Sequence, residues 1–170
     1  MTQSSSPALS PSLLEAADLS PEAARSILSG AMTGADDGEL FLERAETESL
    51  VFDDGRLKAA SYDAHEGFGL RVVSDETAGY AHSSVVDAAA IARAAETASL
   101  ATQGRTGVQA EAPVSTNQQL YAPIDPLASP AFSDKIALLS EIDAWARTRD
   151  PRVVQVSVSM AGAHRGIAIL

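Results

Sequence analysis

The stretch EGFGLRVVSDETAGYAHSS, residues 66–84, places three glycines, an arginine among valines and a histidine in one short run. Glycines beside a cation can cradle a phosphate, but a dinucleotide fingerprint needs a third glycine three positions after the second, and Val72 stands there. Phosphate binding also needs a helix N-terminus aimed at the anion, whereas LRVV after Gly69 reads as strand. Period-two alternation turns Phe68, Leu70 and Val72 to the core and Gly67, Gly69 and Arg71 to the other face. An ordinary strand with a core face and an outer face accounts for this pattern; the alternative is a face kept bare so that another chain can approach, and on it Gly67, Gly69 and Arg71 are the candidate binding residues.

The other reactive side chains give weaker patterns. His65, His82 and His164 are far apart, and none forms the i, i+4 pair that sets two imidazoles on one metal; the spacing assigns no metal ligand. Ser83 and Ser84 follow His82, yet no glycine-flanked elbow surrounds them, and no catalytic residue is assigned. Glu43, Glu46, Glu48, Asp53 and Asp54 read as a solvated acidic face, since calcium would require a denser run of oxygen ligands.

These residues need elements to hold them. Between 38 and 84, GELFLERAE, ESLVF, RLKAASYDA, GFGLRVV and TAGYAHS carry β-forming residues, with turn chemistry at Asp53-Asp54-Gly55 and Ser74-Asp75-Glu76. Connections this short force antiparallel neighbours, because a parallel pair needs a crossover of about a dozen residues or more. Ser10-Pro11 and Ser20-Pro21 predict two short helix starts, the second helix showing Ala24, Ile27, Leu28 and Ala31 on one face before Gly34. VDAAAIARAAETASLA predicts a helix whose small-residue face, Ala88, Ile91, Ala95 and Ala98, lets its axis come close to a sheet.

A Pro- and Gly-punctuated connector spans residues 102–132. Ser133 is expected to cap a further helix with Ile136, Leu139, Ile142 and Ala146 in its stripe, flanked by Leu138 and Trp145, and Pro151 to end it. VVQVSVSM then alternates as a strand, and Ala161-Gly162-Ala163 reads as a turn into a second strand. The expected fold is α+β: an antiparallel β-meander packed against helices in a two-layer sandwich, followed by a helix and the start of a further β-hairpin. Residues 1–12 are expected to be a disordered tail and 13–170 one domain; the apolar run closing at Leu170 suggests a piece of something longer.

Composition narrows the function classes. In 170 residues, 12 basic and 23 acidic side chains leave a formal charge of −11, which repels nucleic acid and anionic membrane surfaces. Without cysteine there is neither a disulfide nor a Cys-ligated zinc. No basic, apolar leader and no run of about 18 apolar residues occurs, so the chain reads as soluble and cytoplasmic.

The order of motifs from residue 35 to 170 resembles the N-terminal region of the TldD/PmbA metallopeptidases, particularly the TldD branch. Gly67, Gly69 and Arg71 match a G-x-G-x-R strand; Thr77, Gly79, Tyr80 and Ala81 match a T-G-[FY]-A strand, with Ala78 interposed, ahead of an alanine-rich helix. LYAPIDPL and the segment from Lys135 to Gly162 look like the succeeding part of that family's N-terminal region. The resemblance implies a two-layer α+β N-terminal domain and, elsewhere in the full-length protein, a His-Glu-x-x-x-His zinc motif that does not occur in these 170 residues. It implies that this part is non-catalytic, with no cofactor of its own, zinc belonging to the full-length member. It also implies a substrate channel for unstructured peptides and an interface with a TldE/PmbA-like partner subunit. The alternative from another class is a free-standing protein-interaction module.

Overall fold

The computed structural model describes residues 13–104 and 124–170. The tail at 1–12, the Ser10-Pro11 helix start and most of the connector lie outside the described residues. The described residues form four helices and four strands: α1 (Leu13–Ala16), α2 (Pro21–Ala31), β1 (Asp37–Asp53), β2 (Arg56–Ser74), β3 (Thr77–Ser83), α3 (Ala88–Leu100), α4 (Phe132–Arg147) and β4 (Ser157–Ile169). The strands make one sheet in the order β3-β2-β1-β4.

The five apolar segments expected between 38 and 84 merge into three strands of an antiparallel meander. Two-residue connections separate them. Asp54 and Gly55 both have positive φ, 51° and 77°, the pairing a tight hairpin needs to match strand twist. At the second turn Asp75 takes the positive φ, and Ser74 pairs directly with Thr77. β4 joins the other side of β1; Leu40 and Leu170 exchange both backbone hydrogen bonds, at 3.1 and 3.0 Å, the signature of an antiparallel pair. β4 also runs unbroken through Ala161-Gly162-Ala163, where the sequence suggested a turn. Half-buried and exposed residues alternate along its whole length, and that period is the reason the small residues extend the strand instead of bending it.

By its packing the chain divides into two compact units. One comprises residues 13–44, 65–104 and 166–170. In it Ser20 accepts a hydrogen bond from the Ala23 N–H and Pro21 opens α2; Asp87 does the same for Ala90 at the start of α3. Ala24, Leu28 and Ala31 of α2 and Ala90, Ile91, Ala94, Ala95 and Ala98 of α3 cover Leu40, Leu42, Phe68, Leu70 and Val72 of the sheet. Each fully buried leucine there contributes about 1.5–3 kcal/mol.

The other unit comprises residues 45–64 and 124–165 among those described. Its smaller core joins Leu50 and Phe52 of β1 to Leu139 of α4, with Ile136, Val158 and Met160 around them. α4 starts one residue before Ser133, which does not cap it; Ala131 occupies the N-cap without a side-chain bond. Its buried line is Lys135, Leu139 and Asp143, not the expected stripe through Ile142. Lys135 and Asp143 can be buried because each is paired: Lys135 Nζ donates to Glu48 at 2.7 Å and to the Leu127 carbonyl at 2.9 Å, and Arg147 Nε donates to Asp143 at 3.0 Å. Ile142, Leu138 and Trp145 consequently face outward. Among the described residues no helix is long and apolar enough to cross a membrane.

Candidate functional site

The three candidate binding residues lie on β2 in its pairing with β3. Register sets Gly69 opposite His82, Arg71 opposite Tyr80 and Val72 opposite Gly79. Phe68, Leu70 and Val72 are buried in the core, as the alternation required. On the other face Gly69 is not bare: the Tyr80 ring lies across it, and a Cβ at Gly69 would stand 2.6 Å from the phenol oxygen and 3.1 Å from Cε2. At Gly67 a Cβ would come within 3.0 Å of the Ser83 carbonyl oxygen. Arg71 remains exposed.

Tyr80 is itself 63% exposed and stacks on His82, with ring centroids 5.7 Å apart and planes 29° from parallel. The outer face of this hairpin therefore presents a guanidinium, a phenol and an imidazole at strand spacing. Such a face offers hydrogen-bond donors and flat aromatic surface. Among the described residues β3 is also an edge of the sheet, and an edge strand offers its N–H and C=O groups to an added strand.

The inner face of β3 is closed by α3. A Cβ at Gly79 would meet the Ala98 carbonyl oxygen at 1.9 Å, so that helix backbone rests on strand backbone. The small-residue face read from the sequence thus does bring α3 close. Ser83 Oγ accepts a hydrogen bond from the Val85 N–H at 2.9 Å, which commits it to the turn after β3. No nucleophile, base and orienting acid converge among the described residues of this face. The depression beside Gly67, lined by Leu42, Glu43, Glu66 and Val86, is about 30 Å³, room for a water or two and no organic ligand.

The second unit holds the contacts that sequence spacing did not reveal. Three of the five acids expected on a solvated face have cationic partners: Glu48 with Lys135, Asp54 with Arg147 at 2.6 Å, Asp53 with Lys58 at 3.7 Å. The hydrogen bonds that Arg147 donates to Asp143 and Asp54 raise its pKa above the ordinary value. Glu46 of β1 and His164 of β4 meet near Asp125. Their positions are remote in the chain, and only strand order joins them.

This arrangement has counterparts among known proteins. Residues 38–102 match the model of the PmbA/TldA metallopeptidase domain 1. A protein of Haemophilus influenzae named metalloprotease TldD homolog is 32% identical over 139 residues, covering 79% of this chain and 29% of that protein. A protein of the same name from Buchnera aphidicola (subsp. Schizaphis graminum) is 28% identical over 136 residues, covering 79% and 28%. The chain thus spans less than a third of these curated relatives. Among solved structures, TldE from Thermococcus kodakarensis superposes with a TM-score of 0.60 at 15% identity, covering 86% of this chain and 34% of that one. A putative modulator of DNA gyrase from Bacteroides thetaiotaomicron gives 0.57 at 15% identity, covering 88% and 36%. At that identity the structures show a common fold.

Proposed function

From the premise that residues 38–102 are a first domain of the PmbA/TldA metallopeptidase family and place the chain in that family, we propose that residues 13–170 are the non-catalytic N-terminal part of a TldD-like zinc-dependent peptidase. In the full-length protein zinc would activate water for hydrolysis of unstructured peptides in the cytoplasm. The residues of this chain supply binding. The β2–β3 face at Gly67, Gly69 and Arg71 is assigned to the substrate channel.

What carries this reading is Arg71 opposite Tyr80 on a hairpin whose outer strand is a sheet edge. An extended peptide added along β3 would satisfy backbone groups, and the Arg71 guanidinium would hold a carbonyl or carboxylate of the peptide. Folded substrates lack the free backbone that this mode requires. The partner, a TldE/PmbA-like subunit, is assigned to the exposed row Leu138, Ile142 and Trp145 of α4, which is apolar at helical spacing.

The test uses the full-length protein with its partner. Arg71→Ala, with folding checked by circular dichroism, should raise KM for an unstructured peptide and leave the zinc content unchanged. Unaltered kinetics would remove Arg71 from the channel.

A further inference from the structure

We infer that Glu46, Asp125 and His164 form a binding site for one divalent transition-metal ion, of which Zn²⁺ is the representative. The three residues each offer one ligand atom, and these atoms lie within 4.8 Å of one another. His164 Nδ1 stands 3.6 Å from Glu46 Oε2 and 3.8 Å from Asp125 Oδ1. Both separations are too long for hydrogen bonds, which for N–H···O fall at about 2.7–3.2 Å. They are close to the edge of a coordination tetrahedron: ligand bonds of about 2.0–2.2 Å put neighbouring donors roughly 3.3–3.6 Å apart. The imidazole nitrogen thus faces two carboxylates across a gap of ionic size.

The surroundings hold the donors in place. Tyr62 of β2 donates its hydroxyl to Glu46 Oε1 at 2.7 Å, which leaves Oε2 as the atom turned to His164. Tyr62, Glu46 and His164 sit on the neighbouring strands β2, β1 and β4, so the sheet sets their spacing. Asp125 is fixed by accepting the Leu127 N–H at 2.8 Å, and the Leu127 carbonyl is gripped by the buried ammonium of Lys135. Leu127 in turn packs on Gly162, which shares a face of β4 with His164. The site is partly sheltered, its side chains being 14%, 24% and 23% exposed for Glu46, Asp125 and His164.

The donor set decides the kind of ion. One imidazole with two carboxylates suits Zn²⁺ or a similar first-row ion, whereas Mg²⁺ and Ca²⁺ want oxygen donors throughout. Three protein donors leave a position for water. The ion would clasp β1 and β4 to the segment that leads into α4.

The test titrates the metal-stripped 170-residue chain with Zn²⁺ in competition with a chromophoric chelator, and repeats it for variants. The expected result is one equivalent bound, unaffected by excess Mg²⁺, lost in His164→Ala and retained in His65→Ala, which alters an exposed imidazole elsewhere on β2. Tyr62→Phe removes only the hydroxyl that orients Glu46 and should weaken binding about 10–100-fold. That exposed position keeps the question decidable should His164→Ala fail to fold. The inference is overturned by absence of saturable binding, by equal loss in His65→Ala, or by Tyr62→Phe binding as the parent does.

Discussion

The phenol ring of Tyr80 covers Gly69, diagonally across the β2–β3 pairing, so closely that a methyl group at position 69 would touch its hydroxyl oxygen. A side chain added there must displace the ring, and a ring is movable. Gly69→Ala should therefore destabilise the chain by about 1 kcal/mol, and the double variant with Tyr80→Ala should cost less than the two single changes added together. Urea unfolding of the four proteins in that cycle measures the coupling, and additivity would show that the ring does not bear on the glycine.

At Gly79 the neighbour is backbone, and backbone cannot swing aside. Gly79→Ala should cost about 1–3 kcal/mol or more through overpacking, clearly beyond Gly69→Ala. The same urea series ranks the two. Equal effects would mean that α3 yields as easily as a tyrosine ring.

In the smaller core, Leu139 is 1% exposed and Lys135 is buried with its ion pair. Leu139→Ala should cost about 2–5 kcal/mol as a cavity. Lys135→Ala should cost about 3–5 kcal/mol because Glu48 keeps its charge in a half-buried place without its ammonium partner. Lys135→Ala combined with Glu48→Gln should recover part of the loss, read from denaturant midpoints.

How far the sequence foretold these contacts depends on their range. The meander, the α2 start at Ser20, the alanine-rich helix α3 and the buried line Phe68, Leu70, Val72 all arise from period and turn chemistry within a few residues. The buried line of α4 does not. Hydrophobic spacing favours Ile142, while the structure buries Lys135 and Asp143; Arg147 is a local i, i+4 partner of Asp143, but the Glu48 that pairs Lys135 lies on β1, and no local pattern encodes that proximity. Tyr80 over Gly69 is a middle case: alternation puts both on the outer face, but only the register of β2 against β3 sets one on the other. Glu46, Asp125 and His164 lie at the far end of this scale, since their meeting needs the β1–β4 pairing and the path of the segment before α4.

Asp150 provides a pH-dependent marker. Hydrogen bonds from the Arg152 side chain and backbone, the former at 2.6 and 2.9 Å, hold its carboxyl below the usual carboxylate range. A depressed carboxylate stabilises the fold above the unfolded pKa, and that contribution disappears as pH falls through the folded one. Carbon-13 titration of Asp150 should give a midpoint below that of a free aspartate, and Arg152→Gln should raise it. A midpoint unmoved by Arg152→Gln would remove the guanidinium as the cause.

The outward row of α4 makes a separate expectation. Leu138→Glu with Trp145→Ala should leave the thermal midpoint nearly unchanged, because neither side chain is buried, and should lower co-purification of a TldE/PmbA-like partner. Intact co-purification would move the contact elsewhere.

Where the Ala98 carbonyl meets Gly79, two main chains touch with no rotamer between them. Such a contact works as a mechanical stop. Side-chain changes along α3 can tilt or slide the helix, but they cannot bring it nearer to β3, so the thickness of this layer is gauged at a single point. Any redesign of the hairpin's outer surface can take that point as its fixed datum.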